Sequence, residues 1–215
     1  MDDLTLVIGD RNISSWSLRP WLALKMAGAT FAEETVRLRR PETKTEIAAR
    51  SPSGRVPLLR HGALAVWESL AICEYVNELF PAAHLWPEAR DARAVARAVA
   101  NEMHAGFAPL RQNMPMDILG RKPGEGMTPE VADNIRRITG LWADCRGRFG
   151  RRGPFLFGGF TIADAMYAPV VTRFVTYGVA LDPTAAAYVA SITGLAPMKE
   201  WAAAAAAAAA AERVA

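Results

Sequence analysis

The chain has 215 residues, which is enough for one large domain or two small ones with a substantial core. Hydrophobic residues make up 51% and charged residues 22%, a composition typical of globular proteins that excludes a chain disordered throughout. The net charge of +3 is too small to indicate nucleic-acid binding, so we expect no nucleic-acid partner.

Strand and helix patterns alternate in the first third of the chain. Residues 4–8 form a short apolar run of strand length, and residues 31–38 predict a second strand. Between them, residues 17–27 have helical spacing. Pro20 is tolerated only in the first turn of a helix, which places the helix start near residues 15–17. A strand, a helix and a second strand predict a parallel unit with a right-handed crossover.

A short helix, a hairpin and a longer helix follow. Residues 41–50 predict the short helix, and residues 56–60 and 63–67 predict the two strands of the hairpin. Residues 70–80 predict the longer helix, which a proline ends. This order of elements is that of a thioredoxin-like domain with a mixed four-stranded sheet, which we expect over residues 1–81.

Strand patterns almost vanish after a proline-bounded linker. Helical spacing covers residues 88–110 and 129–149, and a run of alanines near the end predicts a terminal helix. Thr161 and Asp164 have the spacing of a capping box, to which we assign a structural role at the start of another helix. We therefore expect an all-helical domain over residues 88–215, so that the fold class is α/β followed by all-α.

Cysteine and histidine usage bears on the compartment and on metals. Cys73 and Cys145 lie far apart and form no CxxC pair, which fits a reducing compartment. His61, His84 and His104 show no metal-ligand spacing, so we expect no metal. We find no secretory signal and no apolar stretch of membrane-spanning length. The expected protein is cytoplasmic and does not associate with membranes.

Ser14 and Ser15 lie where the first predicted strand ends and the first predicted helix begins. In open α/β folds ligands bind at the carboxyl ends of strands, and a helix N-terminus offers unpaired N–H groups and partial positive charge. A serine hydroxyl at this point can donate a hydrogen bond to a thiolate and so lower the pKa of the thiol. The alternative is that a serine here only caps the helix.

Two further residue pairs are suited to a peptide-like ligand. If the bond between Val56 and Pro57 were cis, the N–H and C=O of Val56 would be free to pair with a ligand, although the general rarity of cis bonds favours trans. Ser69 is expected to cap the next helix, whose free N–H groups bind a carboxylate, and Glu68 to accept an ammonium group. The alternative for the second pair is a capped surface helix.

The end of the long predicted helix carries side chains for a second ligand. His104, Phe107 and Arg111 are three and four residues apart, so they are expected to share one helix face. An arginine there is suited to an acidic ligand. The alternative for His104 is a partly buried structural histidine.

Taken in order, these motifs resemble the cytosolic glutathione transferase family over nearly the whole chain, and most of all its zeta- and beta-like bacterial members. Residues 14–17 resemble the serine-serine-cysteine motif of the zeta class, the maleylacetoacetate isomerase group. The pair 56–57 resembles the family's cis-proline pair, which reverses the expectation of a trans bond. The pair 68–69 resembles the acidic-serine pair that holds the γ-glutamyl end of glutathione, and residues 159–164 resemble the folding box of the helical domain.

The resemblance implies a glutathione transferase, in which the thiolate of glutathione attacks a small electrophile without a metal and serine stabilises the thiolate. The implied glutathione-binding residues are Ser14, Ser15, Lys44, Val56, Pro57, Glu68 and Ser69. The implied electrophile site consists of Trp16, His104, Phe107 and Arg111. The resemblance also implies a homodimer and a role in detoxification.

Trp16 departs from the family pattern, because zeta and beta enzymes usually place cysteine at this position. The serine pair is therefore expected to support conjugation more readily than thiol exchange. Two other functions stay open. One is a glutathione-dependent cis–trans isomerase of the maleylacetoacetate or maleylpyruvate type. The other is a non-catalytic scaffold or regulator with the transferase fold, like the stringent starvation proteins.

Overall fold

A mixed four-stranded sheet organises the first part of the computed structural model, which describes residues 3–214. Its strands are β1 (Leu4–Gly9), β2 (Ala32–Val36), β3 (Leu58–His61) and β4 (Leu64–Trp67). They lie in the order β2-β1-β3-β4, with β1 parallel to β2 and β3 antiparallel to both of its neighbours. The parallel unit and the hairpin predicted from the sequence are both confirmed.

Alternate side chains of β1 enter two separate cores on the two faces of the sheet. The helices of this part are α1 (Ser15–Met26), α2 (Thr43–Ala48) and α3 (Ser69–Leu79). Leu6 and Ile8 join the large core that includes α1 and α3. Val7 joins a small core on the other face, with Ile47 of α2. Helices on both faces of a four-stranded sheet give the thioredoxin-like arrangement that was predicted.

Residues 90–214 fold mainly into helices. These are α4 (Arg90–Ala105), α5 (Ala108–Asn113), α6 (Pro129–Phe149), α7 (Ile162–Tyr177), α8 (Pro183–Gly194) and α9 (Ala196–Val214). Nearly every residue of α7 is buried, because this helix packs against both α1 and α4. One hydrophobic core therefore joins the helical part to the sheet, and the boundaries at 1–81 and 88–215 remain predictions. Within residues 3–214, no helix is long and apolar enough to cross a membrane.

The continuous helix predicted over residues 88–110 is wrong, because the chain turns at Gly106 and Phe107. The backbone of Gly106 is extended, and Phe107 adopts the left-handed conformation with φ 60°. Pro109 then falls in the first turn of α5, where its missing N–H has no helical partner to lose. A Cβ atom at position 106 would lie 2.7 Å from the carbonyl oxygen of Glu102, so the turn requires glycine.

Asp164, in the first turn of α7, has the structural role predicted for it. Its carboxylate is fully buried and accepts hydrogen bonds from the N–H groups of Thr161 (2.8 Å) and Leu156 (3.1 Å) and from the hydroxyl of Tyr188 (3.0 Å). Burial disfavours the charged form and raises the pKa of Asp164 to about 6, although these hydrogen bonds oppose the shift. The carboxylate thus ties the start of α7 to α8 and to the preceding loop.

Candidate active site

A cavity of about 270 Å³ opens between the loop before β3, the start of α3 and the end of α4. Its lining consists of Trp16, Ser53, Arg55, Val56, Pro57, Glu68, Ser69 and His104. Most of these residues were singled out from the sequence, although they come from four separate stretches of the chain. Ser53 and Arg55 were not. The signal that could have found them is their position directly before the Val56-Pro57 pair, whose peptide bond is cis, as the family resemblance implied.

Glu68 and Ser69 form the wall of the cavity at the start of α3. Glu68 has a left-handed backbone, with φ 67°, and occupies the N-cap position without a capping hydrogen bond from its side chain. The prediction that Ser69 caps α3 is wrong, because Ser69 is the first residue inside the helix. Its side chain is 1% exposed, and its Oγ atom has no hydrogen-bond partner among the described residues. A donor without an acceptor therefore lies against the cavity.

Ser14 and Ser15 lie at the N-terminus of α1, directly before Trp16, and both are buried. Ser14 occupies the N-cap position, yet its side chain makes no capping hydrogen bond, which disagrees with the simple capping alternative. Its Oγ atom lies 2.7 Å from the Oγ of Ser17, and the Ser17 Oγ accepts a hydrogen bond from the N–H of Gly9 at 3.0 Å. The two serines are beside the cavity rather than in its lining.

Trp16 is the centre of a cluster of cationic and aromatic side chains. The guanidinium carbon of Arg19 lies 4.2 Å from the centre of the Trp16 ring, and that of Arg111 lies 5.2 Å from it. The imidazole of His104 meets the same ring edge-on, with the ring centres 5.3 Å apart. Cations are attracted to the face of an indole, so these contacts fix the orientation of Trp16 in the cavity wall.

Arg19 is a buried cation without a carboxylate partner among the described residues. Its Nε–H donates to the carbonyl oxygen of Met166 at 3.2 Å, while its two Nη atoms have no hydrogen-bond partner there. Burial, followed by repulsion from Arg173 and Arg111, lowers the pKa of Arg19 to about 9. At neutral pH the guanidinium is still charged, so the interior behind Trp16 is electropositive.

His104 connects the helical part of the molecule with the cavity. Its Nε2 atom lies 3.8 Å from Oε2 of Glu68, and its Nδ1 atom is buried without a hydrogen-bond partner among the described residues. Burial lowers the pKa of His104, and repulsion from Arg19 and Arg111 lowers it further, while Glu68 acts in the opposite direction. Since its ordinary pKa is 6.5, the imidazole is mostly neutral at pH 7.

Phe107 and Arg111 are not where the predicted helix face would have placed them, because α4 ends before them. Phe107 is 9% exposed and belongs to the main core. Arg111 folds back over the turn and donates to the carbonyl oxygens of His104 (3.2 Å) and Gly106. Arg111 therefore supports the cavity wall from behind, since it also lies over the ring of Trp16, whereas Phe107 is a core residue.

Lys44 is exposed on α2 and is not part of the cavity lining, so its role stays a prediction.

The thiol of Cys73 is completely buried, and burial raises its pKa to about 12, so this cysteine is protonated at neutral pH. Within the part of the chain that the structure describes, histidine, cysteine, aspartate and glutamate side chains form no group able to hold a metal ion.

Two models of one protein family match the chain. Residues 13–79 match the model described as "Glutathione S-transferase, N-terminal domain". Residues 127–210 match the model described as "Glutathione S-transferase, C-terminal domain". The two ranges together cover more than two thirds of the chain and include α1, α3 and the cavity residues between them.

Individual proteins show the same likeness. The chain is 27% identical over 177 residues to the probable maleylacetoacetate isomerase of Caenorhabditis elegans, a match that covers 80% of this chain and 79% of that protein. It is 29% identical over 184 residues to the stringent starvation protein A homolog of Coxiella burnetii, covering 85% and 81% of the two chains. A crystal structure of a glutathione transferase homolog from Burkholderia, with bound glutathione, superimposes with a TM-score of 0.70 at 26% identity, covering 95% of this chain and 98% of that one.

Proposed function

Because this chain belongs to the glutathione S-transferase family, we propose that it is a glutathione transferase that joins glutathione to small electrophilic molecules. The similar structure from Burkholderia, crystallised with glutathione, supports glutathione as the co-substrate. In the reaction the thiol of glutathione gives its proton to solvent. The thiolate sulfur then forms a bond to an electron-poor carbon of the second substrate. In a substitution the leaving group departs with its bonding electrons, and in an addition the π-electron pair moves to the neighbouring atom, which takes a proton from solvent.

The observation that carries this proposal is the unpaired hydroxyl of Ser69. A buried hydroxyl without an acceptor costs about 1–3 kcal/mol, so a site that keeps one is built for a ligand that supplies the acceptor. The α-carboxylate of the γ-glutamyl group can accept this hydrogen bond together with the free N–H groups at the start of α3. The neighbouring carboxylate of Glu68 is suited to the ammonium group of the same ligand.

The thiol end of glutathione lies at the N-terminus of α1 in this proposal. The backbone of Val56 pairs with the cysteinyl residue, and Ser14 or Ser15 donates a hydrogen bond to the sulfur. The partial positive charge of the helix N-terminus also favours the thiolate. Lys44 remains the residue predicted for the glycyl carboxylate, and Arg55 is a second candidate because it lines the cavity.

The electrophile is proposed to bind on the side of the cavity formed by Trp16 and His104, with Arg111 supporting both residues. Trp16 offers an aromatic surface whose orientation two guanidinium groups hold. A planar, electron-poor substrate would pack against such a surface.

Calorimetric titration with glutathione and conjugation of chlorodinitrobenzene, followed by absorbance, test the proposed function together. The protein is expected to bind glutathione and to form the conjugate. In a Ser14→Ala, Ser15→Ala double variant, conjugation at neutral pH should fall by about 100-fold, the loss expected when a thiol pKa rises by about two units. A double variant with full activity would contradict the serine mechanism, and a protein that does not bind glutathione would contradict the function.

A glutathione-dependent cis–trans isomerase is the second candidate, favoured by the likeness to the isomerase of Caenorhabditis elegans. In such a reaction the thiolate adds to a conjugated acid, a carbon–carbon bond rotates, and the thiolate leaves again. Turnover of maleylacetoacetate or maleylpyruvate without consumption of glutathione would support it. The likeness to the stringent starvation protein A homolog favours a third candidate, a regulator without catalysis, which measurable conjugation would exclude.

We also propose that the protein is a cytoplasmic homodimer that detoxifies electrophiles. Leu64 and Trp67 on the edge strand β4 are 48% and 46% exposed, and large exposed apolar side chains support a contact surface along this edge of the sheet. Sedimentation equilibrium is expected to give the mass of a dimer. A Trp67→Glu variant should give a monomer that is still folded, and a wild-type monomer would contradict the proposal.

A further inference from the structure

The hydroxyl of Ser17 has one acceptor within reach among the described residues. Ser17 is fully buried in the first turn of α1, and its Oγ atom already accepts a hydrogen bond from the N–H of Gly9. The N–H of Gly9 is a donor and cannot receive the hydroxyl hydrogen of Ser17. The remaining partner is the Oγ of Ser14 at 2.7 Å, a normal distance for a hydrogen bond between two hydroxyls.

This arrangement sets the direction of the hydrogen bond between the two serines. If Ser14 donated to Ser17, the hydrogen of Ser17 would be left in the protein interior without an acceptor, which native structures avoid. If Ser17 donates to Ser14, every group at Ser17 is satisfied, and the hydrogen of Ser14 remains free for a further partner.

We propose that Ser17 is a positioning residue, which fixes Ser14 as the hydroxyl that donates to the sulfur of glutathione. This inference rests on the proposed function. The hydrogen bonds run in one direction, from the N–H of Gly9 to Ser17, from Ser17 to Ser14, and from Ser14 to the thiolate. Each bond polarises the next, so a hydroxyl that accepts at its oxygen becomes a better donor. Ser15 has no side-chain partner among the described residues that would hold its hydroxyl in the same way.

The experiment measures the pKa of the bound glutathione thiol from the ultraviolet absorbance of the thiolate as pH is varied. The variants are Ser14→Ala, Ser15→Ala, Ser17→Ala and the double variant Ser14→Ala, Ser17→Ala. We expect Ser17→Ala to raise the thiol pKa by roughly 1, the size of one hydrogen bond's contribution. In the absence of Ser14, the same substitution should change nothing further, and Ser15→Ala should leave the thiol pKa near the wild-type value.

Binding of S-methylglutathione separates positioning from a structural effect, because this analogue has no ionisable thiol. Ser17→Ala is expected to bind it with unchanged affinity, and Ser17→Thr, which keeps a hydroxyl, is expected to restore the low thiol pKa. An equal rise in the thiol pKa with and without Ser14, or a rise caused by Ser15→Ala alone, would overturn the proposal. If the thiol pKa is lowered in the wild type and Ser17→Ala does not change it, the role of Ser17 is overturned but the proposed function is not. A wild-type complex whose thiol has its ordinary pKa overturns the proposed function as well.

Discussion

The Nε2 atom of His104 lies 3.8 Å from the Oε2 atom of Glu68, so a residue at the end of α4 faces the carboxylate proposed to hold the ammonium group of glutathione. While His104 is neutral, this carboxylate is available to the ligand. Once His104 is protonated, the two side chains form an ion pair that competes with the ligand. The nearby cations Arg19 and Arg111 oppose protonation, and burial opposes it most.

Glutathione affinity is therefore expected to fall on acidification. The pKa of His104 lies below its ordinary value of 6.5, so the imidazole gains its charge only as the pH drops through the range below 6.5. A partly exposed ion pair is worth about 0.2–1 kcal/mol, which predicts a rise of up to about fivefold in Kd. Titration calorimetry would measure the Kd for glutathione between about pH 7.5 and pH 5, a range that spans the titration of histidine.

A His104→Gln variant provides the matched control for that measurement, because glutamine keeps a polar group of similar length without a titrating charge. Its Kd for glutathione should change less with pH than that of the wild type. An identical pH profile in both proteins would show that His104 does not compete for Glu68.

Replacing Ser69 with alanine is expected to weaken glutathione binding without destabilising the fold. The Ser69 hydroxyl has no hydrogen-bond partner among the described residues, so its removal breaks no internal bond. The ligand loses one hydrogen bond to a charged group, which predicts a rise of roughly tenfold or more in Kd. Urea unfolding and calorimetry would measure the two quantities side by side.

Thr176→Val is the control for the serine variant. Thr176 is also buried in a helix, but its hydroxyl donates to the carbonyl oxygen of Asp117 at 2.7 Å. This variant should lose about 1 kcal/mol of stability and keep its affinity for glutathione. If Ser69→Ala instead loses stability and keeps affinity, Ser69 has a purely structural role.

Glu68→Gly is expected to stabilise the free protein and to reduce glutathione binding. The left-handed backbone of Glu68, with φ 67°, disfavours every residue with a Cβ atom, and glycine removes that penalty of about 1 kcal/mol. The carboxylate for the ligand is lost at the same time. His84 has a φ of 48°, also left-handed, and lies outside the cavity lining. His84→Gly should show the gain in stability alone, and equal affinities in both variants would remove Glu68 from the site.

The pKa of Asp164 predicts how stability depends on pH. Its folded-state pKa of about 6 lies above the ordinary value of 3.8, so the folded protein holds this proton more tightly than the unfolded chain. The contribution of this group to the free energy of unfolding therefore falls as pH rises from about 4 to 6, by about 3 kcal/mol. Carbon NMR of the side-chain carboxyl groups should show Asp164 titrating near pH 6. Titration of Asp164 near its ordinary value of 3.8 would refute the prediction.

The elements that local patterns determine were predicted well. The apolar run of β1 and the start of α1 near residues 15–17 depend on neighbouring residues, and both are confirmed. The expectation that Pro20 lies in the first turn is wrong, because α1 begins at Ser15 and Pro20 is its sixth residue. The break at Gly106 was missed because the residues on either side have continuous helical spacing, which outweighed the glycine and Pro109. Since the turn is fixed by contact of Gly106 with the backbone of Glu102, its geometry depends on a close approach that spacing does not record.

Two features of the candidate site were not predicted, because they depend on contacts between distant parts of the chain. Arg19 lies in a helix with apolar neighbours, and an arginine there is normally expected at the surface. Its burial depends on α7, which supplies the acceptor from a distant part of the chain. The pairing of Ser14 with Ser17 likewise depends on Gly9 at the end of β1, so the helix sequence alone indicated a cap.

The two buried arginines among the described residues both donate to backbone acceptors. Arg19 donates to the carbonyl oxygen of Met166, and Arg173 donates to those of Met114 and Pro169. A carbonyl oxygen is present whatever side chain its residue carries. These hydrogen bonds therefore require arginine at the donor position. The residue at the acceptor position can vary, provided that its side chain fits. We therefore expect Met166 to tolerate substitution by side chains of similar size, because its carbonyl oxygen is kept. Arg19 should not tolerate substitution, because its side chain is the donor.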